Sequence, residues 1–445
     1  MQVNTESLRL INLYDTTPCA LSVSGRFIHR IREITACNED AFPAIFGLHH
    51  VKRRLVEVLA TGSGVVIKGD FGVGKTHLCD AVFSVLRQYY LTHPVYTNAG
   101  CPVRENSIHL FNYIVKNGQS SLDNICPVCR HKYASLPAES VPIERVYITE
   151  GSGFARLQGN EDIEPQIILG MYHLIRFAEI GDPFDPRVLE GGKIAHASGG
   201  VLFVDELGLM NNEAQYALIQ ALQERRFTPS NSRMTFPIDL LFVSTTNNTN
   251  DLRIHKAVAN RLVGIPIERV GFEDEVRIVK KEIAQNGFLS VIFPELFLEF
   301  IVSTIRTLNN IAVYLGPRSS IRAALIASTS TLVEGRATVS YCDVKEGLHT
   351  EIIGQGDEET FDEIYEMLSK DFPSIAEFIS QRVPNIENAF AFVDNFKNAE
   401  TAFSSINGRL MDEIMASLTE PDRRPETIKA YLDAYAVNVH MEPLC

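Results

Sequence analysis

Two separated runs of residues have the types and spacing needed to bind a nucleoside triphosphate. The first, from Gly69 to Thr76, fits the pattern G-x-x-x-x-G-K-[ST]. It follows the apolar, strand-like run Gly64–Lys68 and leads into a helical pattern from His77, which is the context this motif requires. The glycines allow backbone N–H groups to form an anion nest, and Lys75 can then reach the β- and γ-phosphates. The residues predicted to contact nucleotide are Gly69, Asp70, Phe71, Gly72, Val73, Gly74, Lys75, Thr76 and His77.

The second run, Val201–Glu206, has the pattern of a buried strand that ends in two acids. The Asp205 carboxylate and the Thr76 hydroxyl are oxygen ligands of the kind that Mg²⁺ prefers, so both are predicted to hold a magnesium ion. Glu206 is placed to polarise an attacking water. A glycine-rich loop alone occurs by chance in unrelated proteins. The loop with its strand, its helix and the downstream acids predicts binding and hydrolysis of a nucleoside triphosphate, with ATP and magnesium as the expected ligands.

Length, charge and cysteine content restrict the class of protein. The 445 residues are enough for about three domain-sized units. A net charge of −14 disfavours a surface that coats nucleic acid, although a local basic pore is compatible with it. We find neither a signal-peptide pattern nor an apolar run of about 18 residues, so we expect a cytoplasmic protein without a membrane span. The eight mostly scattered cysteines favour a reducing compartment over a disulfide scaffold.

The segments around both runs resemble AAA+ ATPases of the MoxR and magnesium-chelatase I-subunit group. The similar segments are Ala41–Leu48, which leads into a predicted helix over 51–60, then Arg156–Ile163 and Gln220–Thr228. The likeness extends from about residue 41 to about residue 350. It implies an α/β fold with an AAA+ P-loop αβα core around a parallel sheet, a small helical lid and a C-terminal helical extension.

The same resemblance implies roles for three more side chains. An apolar strand ends at Asn247, which matches the sensor-1 residue that orients the attacking water, and the adjacent Asn248 is the alternative. Arg261 stands where the group has an arginine finger that acts on a neighbouring subunit, although Leu262 replaces the phenylalanine usual after it. Arg318 matches sensor 2, a second phosphate contact in its own or a neighbouring subunit.

Plain structural interpretations compete with these roles. An asparagine at a strand end is often a turn former. Arg261 could be an ordinary cation near a helix C-terminus, where the helix dipole favours it. The order of these residues in one AAA+ frame favours the functional interpretation, more for Arg261 and Arg318 than for Asn247.

A group of cysteines predicts a structural zinc site. Cys126 and Cys129 form a C-x-x-C knuckle, and Cys101 supplies a third thiolate. His109 is the expected fourth ligand of the tetrahedral ion, with His131 as the competing choice. A thioredoxin-like redox pair is the rival use of Cys126 and Cys129, but the sequence around them has the pattern of a loop and not of a strand-to-helix turn.

The spacing of the motifs predicts how the chain is organised. Lys75 and Asp205 are separated by far more chain than the roughly dozen residues of a βαβ crossover, so two insertions are expected. The second insertion resembles a helix-2 insert, and Phe227–Phe236 would form a pre-sensor-1 hairpin. The second insertion and the hairpin would both act on a partner. The alternative is that both are surface elaborations without a moving role. The predicted divisions are an N-terminal segment over 1–40, a nucleotide-binding domain over 41–270 with insertions at 97–140 and 163–192, a helical lid over 271–353 and a C-terminal helical region over 354–445.

Apolar residues recur at helical spacing after residue 270. They predict helices over 273–285, 294–308 and 318–333. Ser340 followed by Asp343 is a weak capping box that predicts one more helix start. The C-terminal region would bind a partner or the ring, or only extend the packing.

Three functions are compatible with these features. The favoured one is an oligomeric AAA+ ATPase, expected as a hexameric ring, that couples ATP hydrolysis to remodelling or activation of a partner protein. In the resembling group the partner commonly carries a von Willebrand A domain, so a separate partner with this domain is expected. The second is a nucleic-acid motor, for which Arg233 on the hairpin is a candidate cation. The third is an ATP-dependent assembly scaffold without turnover.

Overall fold

The computed structural model describes residues 8–13, 21–116, 122–247, 253–288, 290–293, 295–311, 315–336, 339 and 341–353. Asn248, the alternative sensor-1 residue, and the region predicted over 354–445 lie outside these residues. The chain divides into two compact units. The first comprises the described residues of Met1–Asp70 and Gly74–Glu268, and the second those of Phe71–Val73 and Arg269–Cys445.

A six-stranded parallel sheet forms the centre of the first unit. The strands are β1 Gly64–Lys68, β2 Tyr96–Asn98, β3 Ile143–Arg145, β4 Thr149–Glu150, β5 Gly153–Gln158, β6 Gly170–Tyr172, β7 Leu189–Gly191, β8 Val201–Asp205, β9 Arg226–Phe227, β10 Phe236–Pro237, β11 Leu241–Thr246 and β12 Leu262–Pro266. The sheet has the order β12-β1-β11-β8-β5-β4, and each neighbouring pair is parallel. The near-continuous apolar runs of β1, β8 and β11 are almost completely buried, as central strands of a parallel sheet require. The predicted α/β class is therefore confirmed.

Helices accompany this sheet in the first unit, and α2, α3 and α8 contact its strands. The first-unit helices are α1 Val23–Ala36, α2 His49–Ala60, α3 Lys75–Thr92, α4 Ile108–Ile114, α5 Pro127–Tyr133, α6 Pro165–Leu169, α7 Leu174–Ile180, α8 Lys193–Ala197, α9 Asn212–Glu224 and α10 Lys256–Ala259. Helix α2 confirms the helix predicted over 51–60 and starts two residues earlier. Within the described ranges, no helix combines the length and hydropathy that a membrane span needs.

The loop between β1 and α3 needs glycine at two positions. Gly72 and Gly74 have φ of +77° and +93°, in the left-handed region that side chains disfavour. Gly74 is also the N-cap residue of α3, so the helix begins at Lys75. The predicted strand, loop and helix are therefore all present.

Both regions predicted as insertions contain regular structure. In the first, β2 and β3 pair antiparallel and the chain between them carries α4 and α5. Cys126 is the N-cap residue of α5 and Pro127 its first residue, so the predicted loop at this position is wrong. Proline fits the first helical position because its missing N–H would have no partner there. In the second, β6 and β7 pair antiparallel on either side of α7. Outside both insertions, β9 and β10 form the predicted hairpin.

The second unit is helical in its described part. Its helices are α11 Phe272–Gln285, α12 Glu295–Ile311, α13 Pro317–Val333 and α14 Tyr341–Ile353. The helices predicted over 273–285, 294–308 and 318–333 are confirmed, and none of their ends shifts by more than three residues. Ser340 of the predicted capping box lies outside the described residues.

A buried carboxylate joins three segments of this helical unit. Glu275 is 0% exposed and accepts hydrogen bonds from Arg269 at 2.6 Å and from Ser320 at 2.7 Å. Its second oxygen forms an ion pair with Arg306 at 2.8 Å. Removing one member of a buried ion pair leaves charge without compensation, which destabilises strongly.

We expect Glu275→Ala to lower the free energy of unfolding by about 3–5 kcal/mol, because Arg269 and Arg306 lose their buried counter-charge. Urea unfolding followed by circular dichroism measures this change. The matched control is Glu334→Ala, which removes the 60% exposed partner of Arg336 and should cost less than about 1 kcal/mol. Equal effects of the two substitutions would contradict the proposed importance of the buried network.

Candidate nucleotide site

The Lys75 side chain connects the phosphate loop to the end of β11. It is only 7% exposed, and its Nζ donates to the carbonyl oxygens of Gly69 at 2.6 Å and Asp70 at 3.0 Å. The same ammonium donates to Oδ1 of Asn247, which directly follows β11. Lysine at this position therefore lies where the loop N–H groups and the polar strand end meet.

Asn247 also contacts Glu206, the first residue after β8. Its Nδ2 donates to Oε1 of Glu206 at 2.8 Å, and the asparagine is almost completely buried. Glu206 has φ of +55°, and its backbone N–H donates to Oγ1 of Thr245 at 3.0 Å. Lys75, Asn247 and Glu206 thus form one continuous hydrogen-bonded chain.

Both carboxylate oxygens of Asp205 have partners. Thr245 Oγ1 donates to Oδ1 at 2.5 Å, and Arg156 on β5 donates to Oδ2 at 3.0 Å. Asp205 is mostly buried while the Arg156 side chain is 47% exposed, so the acid is held and the guanidinium can reach water. Thr76, the other predicted magnesium ligand, is the second residue of α3 and is half-buried.

Gly159, one residue after β5, supports the backbone of both acids. Its N–H donates to the Asp205 carbonyl at 2.7 Å. A Cβ atom at this position would lie 2.2 Å from the Glu206 carbonyl oxygen and 2.9 Å from that of Asp205. The approach of the two backbones therefore requires glycine.

The two predicted arginines lie in different units. Arg261 follows α10 in the first unit, where its guanidinium donates to Gln223 Oε1 at 2.9 Å and to the Ala257 carbonyl. These contacts lie within its own chain, and they are also compatible with Arg261 being an ordinary cation near a helix C-terminus. Arg318 is the second residue of α13 in the second unit.

The three predicted cysteine ligands come together, but neither predicted histidine joins them. The sulfur atoms of Cys101, Cys126 and Cys129 lie within 4.8 Å of one another, and all three residues are buried. His109 instead lines a cavity with Arg26 and Asp239, and burial lowers the pKa of its imidazole. His131 stacks on Phe184 with ring centroids 4.1 Å apart.

A buried carboxylate that the sequence analysis did not predict lies beside these cysteines. Glu105 is 7% exposed and accepts a hydrogen bond from the Cys126 backbone N–H. Burial raises the pKa of its carboxyl well above the ordinary value. His109 does not belong to the group of ligand atoms that the three cysteines form, and the cavity that it lines is also lined by Glu105.

Three further residues of the nucleotide site were not predicted from sequence. Arg156 and Gly159 lie in the segment that resembles the AAA+ group, but neither was assigned a role, and Thr245 was only part of an apolar strand. The available signal was the sheet order, since β5 and β11 are both neighbours of β8. Polar residues at the ends of adjacent parallel strands converge at one edge.

The middle of the chain is similar in sequence to a known family. Residues 186–262 match the Sigma-54 interaction domain, and this segment contains Asp205, Glu206, Asn247 and Arg261. The C4-dicarboxylate transport transcriptional regulatory protein DctD of Rhizobium meliloti is 40% identical over 53 residues, 12% of either chain. The archaeal Lon protease of Methanothermobacter thermautotrophicus is 31% identical over 99 residues, 20% of this chain and 15% of the relative. The chain thus spans only 12% and 15% of the length of these two relatives.

Solved structures give remote likenesses. The Thermotoga maritima RuvB Holliday junction branch migration motor has a TM-score of 0.37 and 14% identity, over 68% of this chain and 70% of that one. NtrX from Brucella abortus in complex with ADP has the same TM-score of 0.37 and 14% identity, over 68% of this chain and 54% of NtrX. A chain of the complex between subunits BchI and BchD of magnesium chelatase has a TM-score of 0.35 and 15% identity, over 73% of this chain and 98% of that one.

The fold assignment depends on this chain's own sheet and loop. The parallel order β12-β1-β11-β8-β5, with the phosphate loop after β1 and the two acids at the end of β8, forms an α/β core with a P-loop. The narrower MoxR or magnesium-chelatase group stays a prediction.

We expect Gly159→Ala to lower ATP turnover about 100-fold, since its Cβ displaces the Glu206 peptide and a shift of about 1 Å has this effect on catalysis. Steady-state phosphate release measures the change, and circular dichroism checks that the fold is retained. The control is Gly271→Ser, at a helix N-cap where the nearest atom to a Cβ is 3.8 Å away. Turnover by Gly159→Ala at the wild-type rate would show that this approach is not needed.

Proposed function

We propose that this chain is an AAA+ ATPase that binds ATP with magnesium and hydrolyses the terminal phosphate. The hydrogen-bonded chain from Lys75 through Asn247 to Glu206 is the observation that supports this most strongly. It joins a phosphate-binding ammonium to a carboxylate through one amide, which is the arrangement that attack of a water on the γ-phosphate needs. The segment similar to the Sigma-54 interaction domain, residues 186–262, includes Glu206 and Asn247 of this chain of contacts.

The contacts of Lys75 suggest what changes when ATP binds. Its three hydrogen bonds to Gly69, Asp70 and Asn247 go to neutral oxygens. Phosphate oxygens are charged acceptors and form stronger hydrogen bonds with an ammonium. The β- and γ-phosphates would therefore take over part of the Lys75 donors, and the loop N–H groups would bind the remaining charge.

The donor atoms around Asp205 fit a magnesium ion. A carboxylate and the Thr76 hydroxyl are hard oxygen ligands, and Mg²⁺ typically keeps several waters beside one or two such ligands. When bound, the ion neutralises charge on the β- and γ-oxygens. Thr245 and Arg156 hold the Asp205 carboxylate in one orientation.

Glu206 and Asn247 would act on the attacking water. Glu206 accepts a proton from the water as its oxygen bonds to the γ-phosphorus, and the bond from that phosphorus to the β-γ bridging oxygen breaks. Asn247 fixes the Glu206 carboxylate through the 2.8 Å hydrogen bond and can hold the water beside it. A positioned general base of this kind contributes about 10²–10⁴ in rate.

We further propose that the ATPase is completed between subunits of a ring. Arg261 would leave Gln223 and contact the ATP of a neighbouring subunit, where such a guanidinium contributes roughly 10³–10⁵ in rate. The resemblance implies a hexamer and assigns Arg318 a second phosphate contact in its own or a neighbouring subunit. The interaction with Gln223 gives the finger a partner when no neighbour is bound.

We propose that ATP hydrolysis by this chain remodels or activates a partner protein. Helix α7, in the helix-2-type insertion, exposes Leu174 by 60% and Ile175 by 68%. Exposed apolar side chains favour a protein surface over a phosphate backbone. The net charge of −14 also disfavours the nucleic-acid motor, for which Arg233 is the candidate cation. A separate protein with a von Willebrand A domain is the partner that the resemblance implies.

We expect Glu206→Gln to bind Mg-ATP with unchanged affinity and to lower turnover at least about 100-fold, because an amide cannot accept the water's proton. Calorimetric titration measures the affinity, and phosphate release measures the rate. Glu213→Gln, an exposed acid on α9, is the control and should match wild type. Wild-type turnover by Glu206→Gln would remove Glu206 from the mechanism.

We expect the ATPase rate per subunit to rise with protein concentration in the wild type, and Arg261→Ala to bind ATP yet turn over at least about 1000-fold more slowly. Mixing Arg261→Ala with Glu206→Gln should restore activity. A site that combines Glu206 of an Arg261→Ala subunit with Arg261 of a neighbouring Glu206→Gln subunit has both groups intact. A concentration-independent rate with an active Arg261→Ala would exclude catalysis shared between subunits.

A further inference from the structure

The cysteine cluster has the geometry of a metal site in the first unit. Cys101 follows β2, whereas Cys126 and Cys129 lie one helical turn apart at the start of α5. Their sulfurs lie within 4.8 Å of one another. A tetrahedral zinc ion with Zn–S bonds of about 2.3 Å separates its sulfurs by about 3.8 Å, so a small adjustment of side chains accommodates the ion.

Glu105 lies beside this cluster, although its carboxylate oxygens are not among the ligand atoms that all lie within 4.8 Å of one another. Oε2 accepts the backbone N–H of Cys126, Oε1 accepts Asn98 Nδ2 at 2.7 Å, and the carboxylate also forms a hydrogen bond with the Cys129 thiol. Its own backbone N–H donates to Cys101 Sγ at 3.4 Å. Glu105 therefore contacts all three cysteines.

The Glu105 carboxyl is buried beside the three sulfurs. Among the described residues, no lysine, arginine or histidine forms an ion pair with it. A buried carboxylate without a paired charge is costly. Its hydrogen-bond donors Asn98 Nδ2 and the Cys126 N–H are neutral.

We propose that Cys101, Cys126, Cys129 and Glu105 bind one zinc ion in a closed, structural site. Three thiolates and a carboxylate complete a tetrahedral set, and N–H donors to the ligands hold them in place, as ligands in zinc sites are commonly held. The site is independent of the ATPase proposal, because none of its four side chains belongs to the nucleotide site.

A redox pair fits the same residues less well. Cys126 and Cys129 are 0% and 1% exposed, whereas reactive dithiols are partly accessible to their partners. The third sulfur and the carboxylate have no role in a two-cysteine exchange. Their placement around the pair therefore favours metal binding.

Arg104 connects this cluster to the strand that carries Asp205. Arg104 lies between Cys101 and Glu105 with φ of +47°. Its guanidinium donates to the carbonyl oxygens of Ala195 at 3.3 Å and Ser198 at 3.0 Å and to Ser152 Oγ at 2.7 Å. These carbonyls belong to α8 and the turn before β8. A metal that fixes the Cys101–Glu105 segment would thus also brace the start of β8.

The test uses the full chain purified in reductant without chelator, with zinc measured by mass spectrometry of the metal. We expect one zinc per chain in wild type and in Cys37→Ser, which removes an exposed cysteine. Cys126→Ser should lose the zinc. Removal of zinc from wild type by a strong chelator should lower the melting temperature, and added zinc should restore it.

Cobalt substitution in wild type tests the ligand set without relying on a variant that fails to fold. Cobalt should show thiolate charge-transfer bands and the visible bands of a tetrahedral ion. Glu105→Gln should shift the visible bands and weaken zinc binding at least about tenfold, while the thiolate bands remain. A wild-type chain that takes up no zinc or cobalt, or a Cys126–Cys129 disulfide in the purified chain, would overturn the site. Unchanged bands and affinity in Glu105→Gln would overturn the assignment of its carboxylate.

Discussion

The ammonium of Lys75 makes the contact on which the candidate nucleotide site depends. It is nearly buried, and it joins two carbonyls of the phosphate loop to Asn247 at the end of β11. A buried ammonium is stable only when its donors are satisfied, so loop and strand end must stay close. The sheet order provides this closeness, because β1, β11 and β8 are neighbours and their carboxyl ends lie at one edge. From there the contacts continue through Asn247 to Glu206 and through Thr245 to Asp205.

Local pattern was sufficient to predict the parts of the fold that one segment determines. The strand 64–68, the loop with its glycines, the acids at the end of β8 and the helices of the second unit all follow from local sequence pattern. Contacts between segments could not be predicted in the same way. The ion pair of Arg156 with Asp205 depends on β5 being the neighbour of β8, and Gly159 matters only because β5 ends against the Glu206 backbone. Neither relation leaves a periodic signal in the sequence.

The cysteine region also shows which contacts could be predicted from the sequence and which could not. Spacing brought Cys101, Cys126 and Cys129 into one group, and the structure places their sulfurs together. His109 was chosen by residue type, but it is the second residue of α4 and points into a cavity with Arg26 and Asp239. Glu105, which is not a usual zinc-knuckle residue, is the proposed fourth ligand instead, because the turn after Cys101 brings its backbone N–H to the Cys101 sulfur. Through Arg104, this region also supports the approach to β8. The insertion is therefore linked to the strand that ends in Asp205 without contributing a residue to the candidate nucleotide site.

The central claim is that the Lys75 ammonium is the phosphate-binding group of an ATP site. The most direct measurement is the binding of Mg-ATP by calorimetry together with phosphate release, for wild type, Lys75→Ala and the exposed control Lys116→Ala. The account predicts saturable binding and phosphate release in wild type and in Lys116→Ala, and the loss of both in Lys75→Ala while the circular dichroism spectrum is unchanged. Binding and release by Lys75→Ala at wild-type levels, or a folded wild type that binds no Mg-ATP, would contradict it.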